Sequence, residues 1–301
     1  MEQAGTFTAG TYSVYRDTVS QIMQQQEQLP SLPALTLEVR QAANNPNTTY
    51  PELTRLVKRD PSLCALLMKH AQHSYSHEKS PKGENGESRS LENAMAHLGF
   101  DTITNLVVLH CVRSLFTTRS QSLRKSFAAA WKRMAFKACM SQFIATHLYY
   151  RPKDEAFIAA LLSEIGRMGI LSTFKASTKI PSPEDFEQLY NSYSQSVGRI
   201  MLHNWGMDKD YIEITQLCGQ WDKTANSNNP KNKLSLLDIV NLAHYHTDQQ
   251  INPSGKRIPL QEIAAYKKIP NKLNAVSPSG QLQFIIDHKA AFKGLLRSMS
   301  A

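Results

Sequence analysis

Between Asp101 and Asp154 the sequence contains no acidic residue. The same interval holds Arg113, Arg119, Arg124, Lys125, Lys132, Arg133, Lys137, Arg151 and Lys153, which together account for the formal net charge of +9. Such a strip is either a solvated helix face with its counter-charges elsewhere in the fold, or a site for an anionic nucleotide, RNA or an acidic protein surface. Aromatic residues are not interleaved with the basic ones, and no helix-turn-helix or other nucleic-acid module is recognisable. Nucleic acid therefore ranks low, and Trp131 reads first as a core residue and second as a stacking platform.

Other absences narrow the class further. No run of about 18 apolar residues exists, which disfavours a membrane helix. The N-terminus, MEQAGTFTAG, lacks a basic segment followed by an apolar one, so the expectation is a cytoplasmic protein. The four cysteines, Cys64, Cys111, Cys139 and Cys218, are far apart and each lies in an apolar helical pattern, where a thiol packs as a small reduced hydrophobe. Strand patterns have little support, and no repeat of 20 to 50 residues marks a solenoid.

What remains is a chain of helices. With 301 residues, of which 41% are hydrophobic, it can bury a sizeable core. Thr49-x-x-Glu52 with Pro51 is a capping box, and Asp60-Pro61 is a second helix start. Loops are expected at 80–88, around Pro181 and Pro183, and at 222–233. His70, His73 and His77 fall on one helical face but lack accompanying ligands, so no metal is assigned to them. His244-x-His246 is weaker, because residues two apart diverge on a helix.

The stretch from Asp154 to Leu171, DEAFIAALLSEIGRMGIL, reads as one central core helix with Asp154 as its N-cap. It is similar to the metal-bearing helix of HD-type phosphohydrolases, with Ser163-Glu164 where that superfamily carries a His-Asp pair. LPSLPAL (29–35), ELTRLVKRDPSLCALLMKHAQHSY (52–75), SLENAMAHLGFDTITNLVV (90–108) and SVGRIMLHNWGMD (196–208) sharpen this to the HDOD, or HD-related output domain, family of bacterial signalling proteins. Gln72 and His73 depart from its Ala-Asn-Ser-aromatic motif. The resemblance implies an all-α, multi-helical two-lobe bundle with a helical C-terminal extension. Its expected parts are an N-terminal extension (1–24), an HDOD domain (25–245) with lobes at about 25–118 and 119–245, and a C-terminal tail (246–301).

It also implies a degenerate site. Carried across residue by residue, the family's metal-ligand positions fall on Arg133, Ser163, Glu164, Ser194, Cys218 and His244. A guanidinium about 4 Å from a divalent ion is repelled by about 8 kcal/mol at an effective dielectric near 20. The resemblance with those replacements favours a module without metal or other cofactor, acting by binding a signalling protein or an anionic ligand, with the two lobes repacking in response. Arg133, Lys132 and Lys137 are the candidate ligand-binding residues. The alternatives are a metal-dependent phosphohydrolase and a pseudoenzyme that binds a nucleotide second messenger.

Overall fold

The computed structural model describes residues 9–24, 29–77, 90–118, 120–151, 153–222, 233–253, 255 and 258–300. Among the described residues the fold is all helical, with one isolated backbone bridge, Val276 to Leu282. The expected loop at 80–88 and most of that at 222–233 lie outside the described residues, as do the side chains of His73 and His77.

Local signals set the helix starts. Helix α1 (Ala9–Gln24) precedes α2 (Ala34–Asn44) and α3 (Tyr50–Val57). The Thr49 backbone N–H donates to the Glu52 carboxylate at 2.9 Å, closing the expected capping box. Helix α4 (Pro61–His77) begins where Asp60 accepts from the backbone N–H groups of Ser62 and Leu63, at 2.9 and 3.1 Å. Helix α5 (Leu91–Leu115) is two legs bent by 100°, because Gly99 adopts φ 78°, a conformation that only glycine takes without strain.

Helix α6 (Gln121–His147) is the axis of the second half, packing against α7 (Lys153–Leu162), α8 (Ile165–Thr173) and α11 (Leu236–Ile251). The expected single helix at 154–171 is thus two helices, and Asp154 lies inside the first turn of α7 rather than capping it. The chain leaves helical geometry at Ser163 and Glu164, where φ −112° and ψ 10° at Glu164 turn its carboxylate towards basic groups of α6. The stretch Glu155–Thr173 is apolar enough to cross a membrane by composition, but 78% of it is buried among the other helices.

Helix α9 (Pro183–Asn204) starts at a reciprocal Ser182–Asp185 box, with the loop expected around Pro181 and Pro183 ending in that cap. It crosses α8 at glycine on both sides. A Cβ on Gly166 would lie 1.8 Å from the Ser194 carbonyl oxygen and 2.8 Å from the Gly198 nitrogen, and one on Gly198 would lie 2.8 Å from Thr215 Cγ2. The Ile165-Gly166 and Val197-Gly198 pairs of the sequence motifs are therefore one backbone-to-backbone contact.

Long-range ties join the two halves. Trp205 Nε1–H donates to the Pro30 carbonyl at 2.8 Å, and Arg40 reaches Asp208 at 3.1 Å. Helix α10 (Lys209–Leu217) then leads to α11. The C-terminal segment runs through two short 3₁₀ turns, Leu260–Glu262 and Tyr266–Lys268, before α12 (Gln283–Asp287) and α13 (Lys289–Ser300). Helix α13 packs on α6, where Phe292 meets Phe136 and Phe143 at ring-centroid distances of 5.2 and 5.4 Å, and His147 stacks on Phe284.

The glycine crossing gives a sharp expectation. Gly166→Ala should destabilise the protein by about 3 kcal/mol or more, because backbone rather than a flexible side chain occupies the new methyl's place. Gly294→Ala on α13, with nothing within 4 Å of its Cβ, should be neutral or stabilising by up to about 1 kcal/mol. Urea titration of both variants checks the pair.

Candidate functional site

Four segments bring ionisable side chains to one point. Arg133 and Lys137, one turn apart on α6, project to the same side, as do His244 and Asp248 on α11. The break between α7 and α8 supplies Ser163 and Glu164, and the end of α10 supplies Cys218. Gly219, at φ 88°, turns the chain sharply after that cysteine, and its N–H donates to Asn241 Oδ1 at 2.9 Å. Gln195 holds the Cys218 carbonyl at 2.9 Å. Helix register or a glycine turn thus places each of these residues except Ser163 and Glu164, which the break places.

Glu164 is the centre. Its carboxylate accepts from Arg133 Nε at 2.6 Å and from Lys137 Nζ at 3.3 Å, lies 3.3 Å from His244 Nδ1, and has Arg167 Nε at 3.8 Å. Arg133 uses its other arm on Asp248 at 2.5 Å, and Asp248 lies 3.3 Å from His244 Nε2. The Lys137 ammonium also donates to Ser163 Oγ at 2.8 Å and to Cys218 Sγ at 3.1 Å. Lys137 is 0% exposed, so its charge is matched entirely by these neighbours.

The electrostatics follow from burial against neighbours. Burial alone raises the Glu164 carboxyl, but Arg133, Lys137, His244 and Arg167 together hold it well below the usual carboxylate range. Burial likewise raises the Cys218 thiol, and Lys137 and His244 outweigh it, bringing it down to about 7. His244 is opposed by burial and by Lys137, yet Cys218 and Glu164 raise it above 6.5. A proton exchanged between Cys218 and His244 leaves the net charge of the cluster unchanged.

Of the residues expected from sequence, Arg133, Ser163, Glu164, Cys218, His244 and Lys137 converge here. Ser194 lines the adjoining cleft, and its carbonyl abuts Gly166. Lys132 lines the cleft from the exposed side of α6. Three expectations are revised. Arg133 and Lys137 turn inward onto carboxylates instead of forming part of a solvated basic strip. Cys218 is no small hydrophobe but an ammonium-bonded thiol. Trp131 is half-buried, with the Arg113 guanidinium 5.9 Å from its ring centroid. Asp248 and Arg167 were not anticipated; the spacing of four from His244 to Asp248 was the available signal.

Beside the cluster lies an open cleft of about 1220 Å³ between α6, α9 and α11. Among the described residues its lining carries four cations, Lys132, Arg133, Lys137 and Arg167, against three carboxylates, Glu164, Glu187 and Asp248. Arg167 is taken up by Glu187 at 3.1 Å and by the Tyr190 ring face. A family metal does not fit this arrangement. Among the described residues no group of three or more His, Cys, Asp or Glu side chains is placed to hold a metal ion, and the donors that gather here surround the Lys137 ammonium.

Two stability measurements follow. Glu164→Gln leaves two buried cations short of their shared anion and should cost about 3 kcal/mol or more at pH 7 by urea titration. The native carboxylate's depressed pKa contributes stability above about 4.5, so the deficit should close only as pH falls well below that value. His246, 1% exposed, is pushed by burial from 6.5 down to about 4, with Gln249 opposing the fall. Its neutral form stabilises the fold above 6.5, and about 3 kcal/mol should be lost as pH drops from 6.5 to 4. Thermal melts across that window should show a shallower decline for His246→Leu.

The family model for the HDOD domain matches residues 29–218. No curated protein matches the chain significantly. Three solved structures share the fold. A provisionally assigned metal-dependent phosphohydrolase from Shewanella amazonensis SB2B is 14% identical, with TM-score 0.71 and coverage of 97% of this chain and 100% of that one. An HDOD domain protein of unknown function from Geobacter sulfurreducens is 15% identical, with TM-score 0.61 and 96% coverage of both chains. A provisionally assigned signal transduction protein from Marinobacter aquaeolei VT8 is 17% identical, with TM-score 0.59 over 96% of this chain and 66% of that one. With the motifs at Leu29 to Leu35 and Ser196 to Asp208 locked together through Trp205 and Pro30, and the family model spanning well over half of the chain, this protein belongs to the HDOD family.

Proposed function

We propose that this chain is an HD-related signalling module that works by binding rather than by metal-dependent hydrolysis. One observation carries the reading: the Lys137 ammonium sits among Ser163, Glu164 and Cys218, the residues onto which the family resemblance carries metal-ligand positions of HD enzymes. A fixed ammonium supplies positive charge without open coordination sites, so it neither binds nor activates water as a divalent ion does. Arg133 adds a second fixed charge at the same carboxylate, which raises the electrostatic cost of any incoming divalent cation.

Binding by this module has two surfaces to draw on. A signalling protein partner would meet the outer helix faces, with the motion between the two halves as the response. An anionic ligand, including a nucleotide, would lie in the cleft against Lys132, Arg133 and Arg167. Among the described residues Arg133 and Arg167 are already paired, so a polyanion held by them would have to break existing ion pairs. That cost favours the protein-partner reading.

Metal content of the purified protein by mass spectrometry, paired with hydrolysis assays on phosphodiesters and phosphomonoesters with added manganese, magnesium or nickel, tests the proposal. The expected result is no stoichiometric metal and no turnover above background. Bound metal with turnover that Glu164→Ala abolishes would overturn it.

A further inference from the structure

The cleft ends on an amine and a thiol held against each other. Lys137 Nζ donates to Cys218 Sγ at 3.1 Å, and the two side chains come from different helices, α6 and the end of α10. Both are buried, Lys137 at 0% and Cys218 at 7% exposure, and both line the cleft. The carbonyl of Cys218 is held by Gln195, and the turn at Gly219 is held by Asn241, so the sulfur is fixed while the flexible lysine stem can close on it. The other three cysteines are also free thiols, of which Cys139 is buried in apolar surroundings and raised by burial to about 12, where the thiolate needed for oxidation is scarce.

From this juxtaposition we propose that Cys218 and Lys137 form a peroxide-driven covalent link across the cluster. In the first step the Cys218 thiolate attacks hydrogen peroxide. The S–O bond forms, the O–O bond breaks, the sulfur is oxidised to sulfenic acid, and the departing hydroxide takes a proton from the Lys137 ammonium and leaves as water. In the second step the freed Lys137 amine attacks the sulfenic sulfur. The S–N bond forms, the S–O bond breaks, and the hydroxyl leaves as water with a proton from the amine. The sum is one thiolate, one ammonium and one peroxide giving a sulfenamide and two waters. Such condensation of a sulfenic acid with nitrogen is reversible by thiols.

The link would withdraw Lys137 from Ser163 and Glu164, leaving Glu164 to Arg133 and His244. Oxidant would thereby alter the break between α7 and α8 and the wall of the cleft. This inference does not rest on the proposed binding function, because it concerns only the pair of side chains.

The test is peptide mapping of the full-length wild-type protein after hydrogen peroxide treatment, digested with trypsin without reductant. The expected product is a peptide pair joining Lys137 to Cys218, with tryptic cleavage at Lys137 lost and the mass two hydrogens below that of the separate peptides. Dithiothreitol should restore both peptides. Lys137→Met should show no joined pair, and dimedone should label Cys218 instead. Peroxide that oxidises the half-buried Cys64 while leaving Cys218 a free thiol would overturn the proposal. So would Cys218 advancing to sulfinic acid with Lys137 still cleaved normally, and both of these outcomes are read on the wild-type protein.

Discussion

One buried carboxylate organises the second half of this molecule. Glu164 receives Arg133 and Lys137 from α6 and sits beside His244 from α11 and Arg167 from α8, so three helices are registered by a single charged group. Isolated buried charges are costly, and this one is tolerated because nearly all of its lone pairs face cations. The demand for those partners explains why α7 and α8 are separate helices. A continuous helix would carry position 164 on in regular register, whereas the break leaves it free to turn its carboxylate into the cluster.

The glycine crossing is the steric counterpart of that electrostatic knot. Gly166 lies two residues beyond Glu164 and packs backbone to backbone against α9, so the turn that aims the carboxylate also sets how closely α9 approaches. Dispersion at close range and charge pairing in low dielectric reinforce each other there, each strongest when the other holds the geometry. The C-terminal helix adds a third constraint on the same element. Its Phe292 packs against Phe136, beside the Lys137 that completes the charge cluster.

Much of this was legible in the chain. The capping residues at Thr49 and Asp60 and the ordered motifs from Leu29 to Asp208 pointed to an all-helical HDOD fold, and carrying ligand positions across residue by residue gathered Arg133, Ser163, Glu164, Cys218 and His244. What the chain did not reveal are pairings that exist only through space. Lys137 stood out only as a candidate for an incoming ligand, because linear sequence does not record that the α7–α8 break and the end of α10 bring Ser163, Glu164 and Cys218 to it. The α7–α8 break was hidden for a related reason. Ser163 and Glu164 are compatible with a helix locally, and tertiary charge pairing overrides that preference. Asp248 was missed although its spacing of four from His244 places it on the same face.

The surrounded ammonium of Lys137 has a bearing on history. Turning this cluster into one that coordinates a metal requires removing Lys137 and Arg133 and supplying neutral or anionic ligands at several positions. Losing Lys137 or Arg133 alone leaves the buried Glu164 short of a counter-charge, at a cost of about 3–5 kcal/mol, against a total stability for ordinary domains of about 5–15 kcal/mol. A stepwise path that begins at either cation therefore passes through a chain with a much smaller margin of stability.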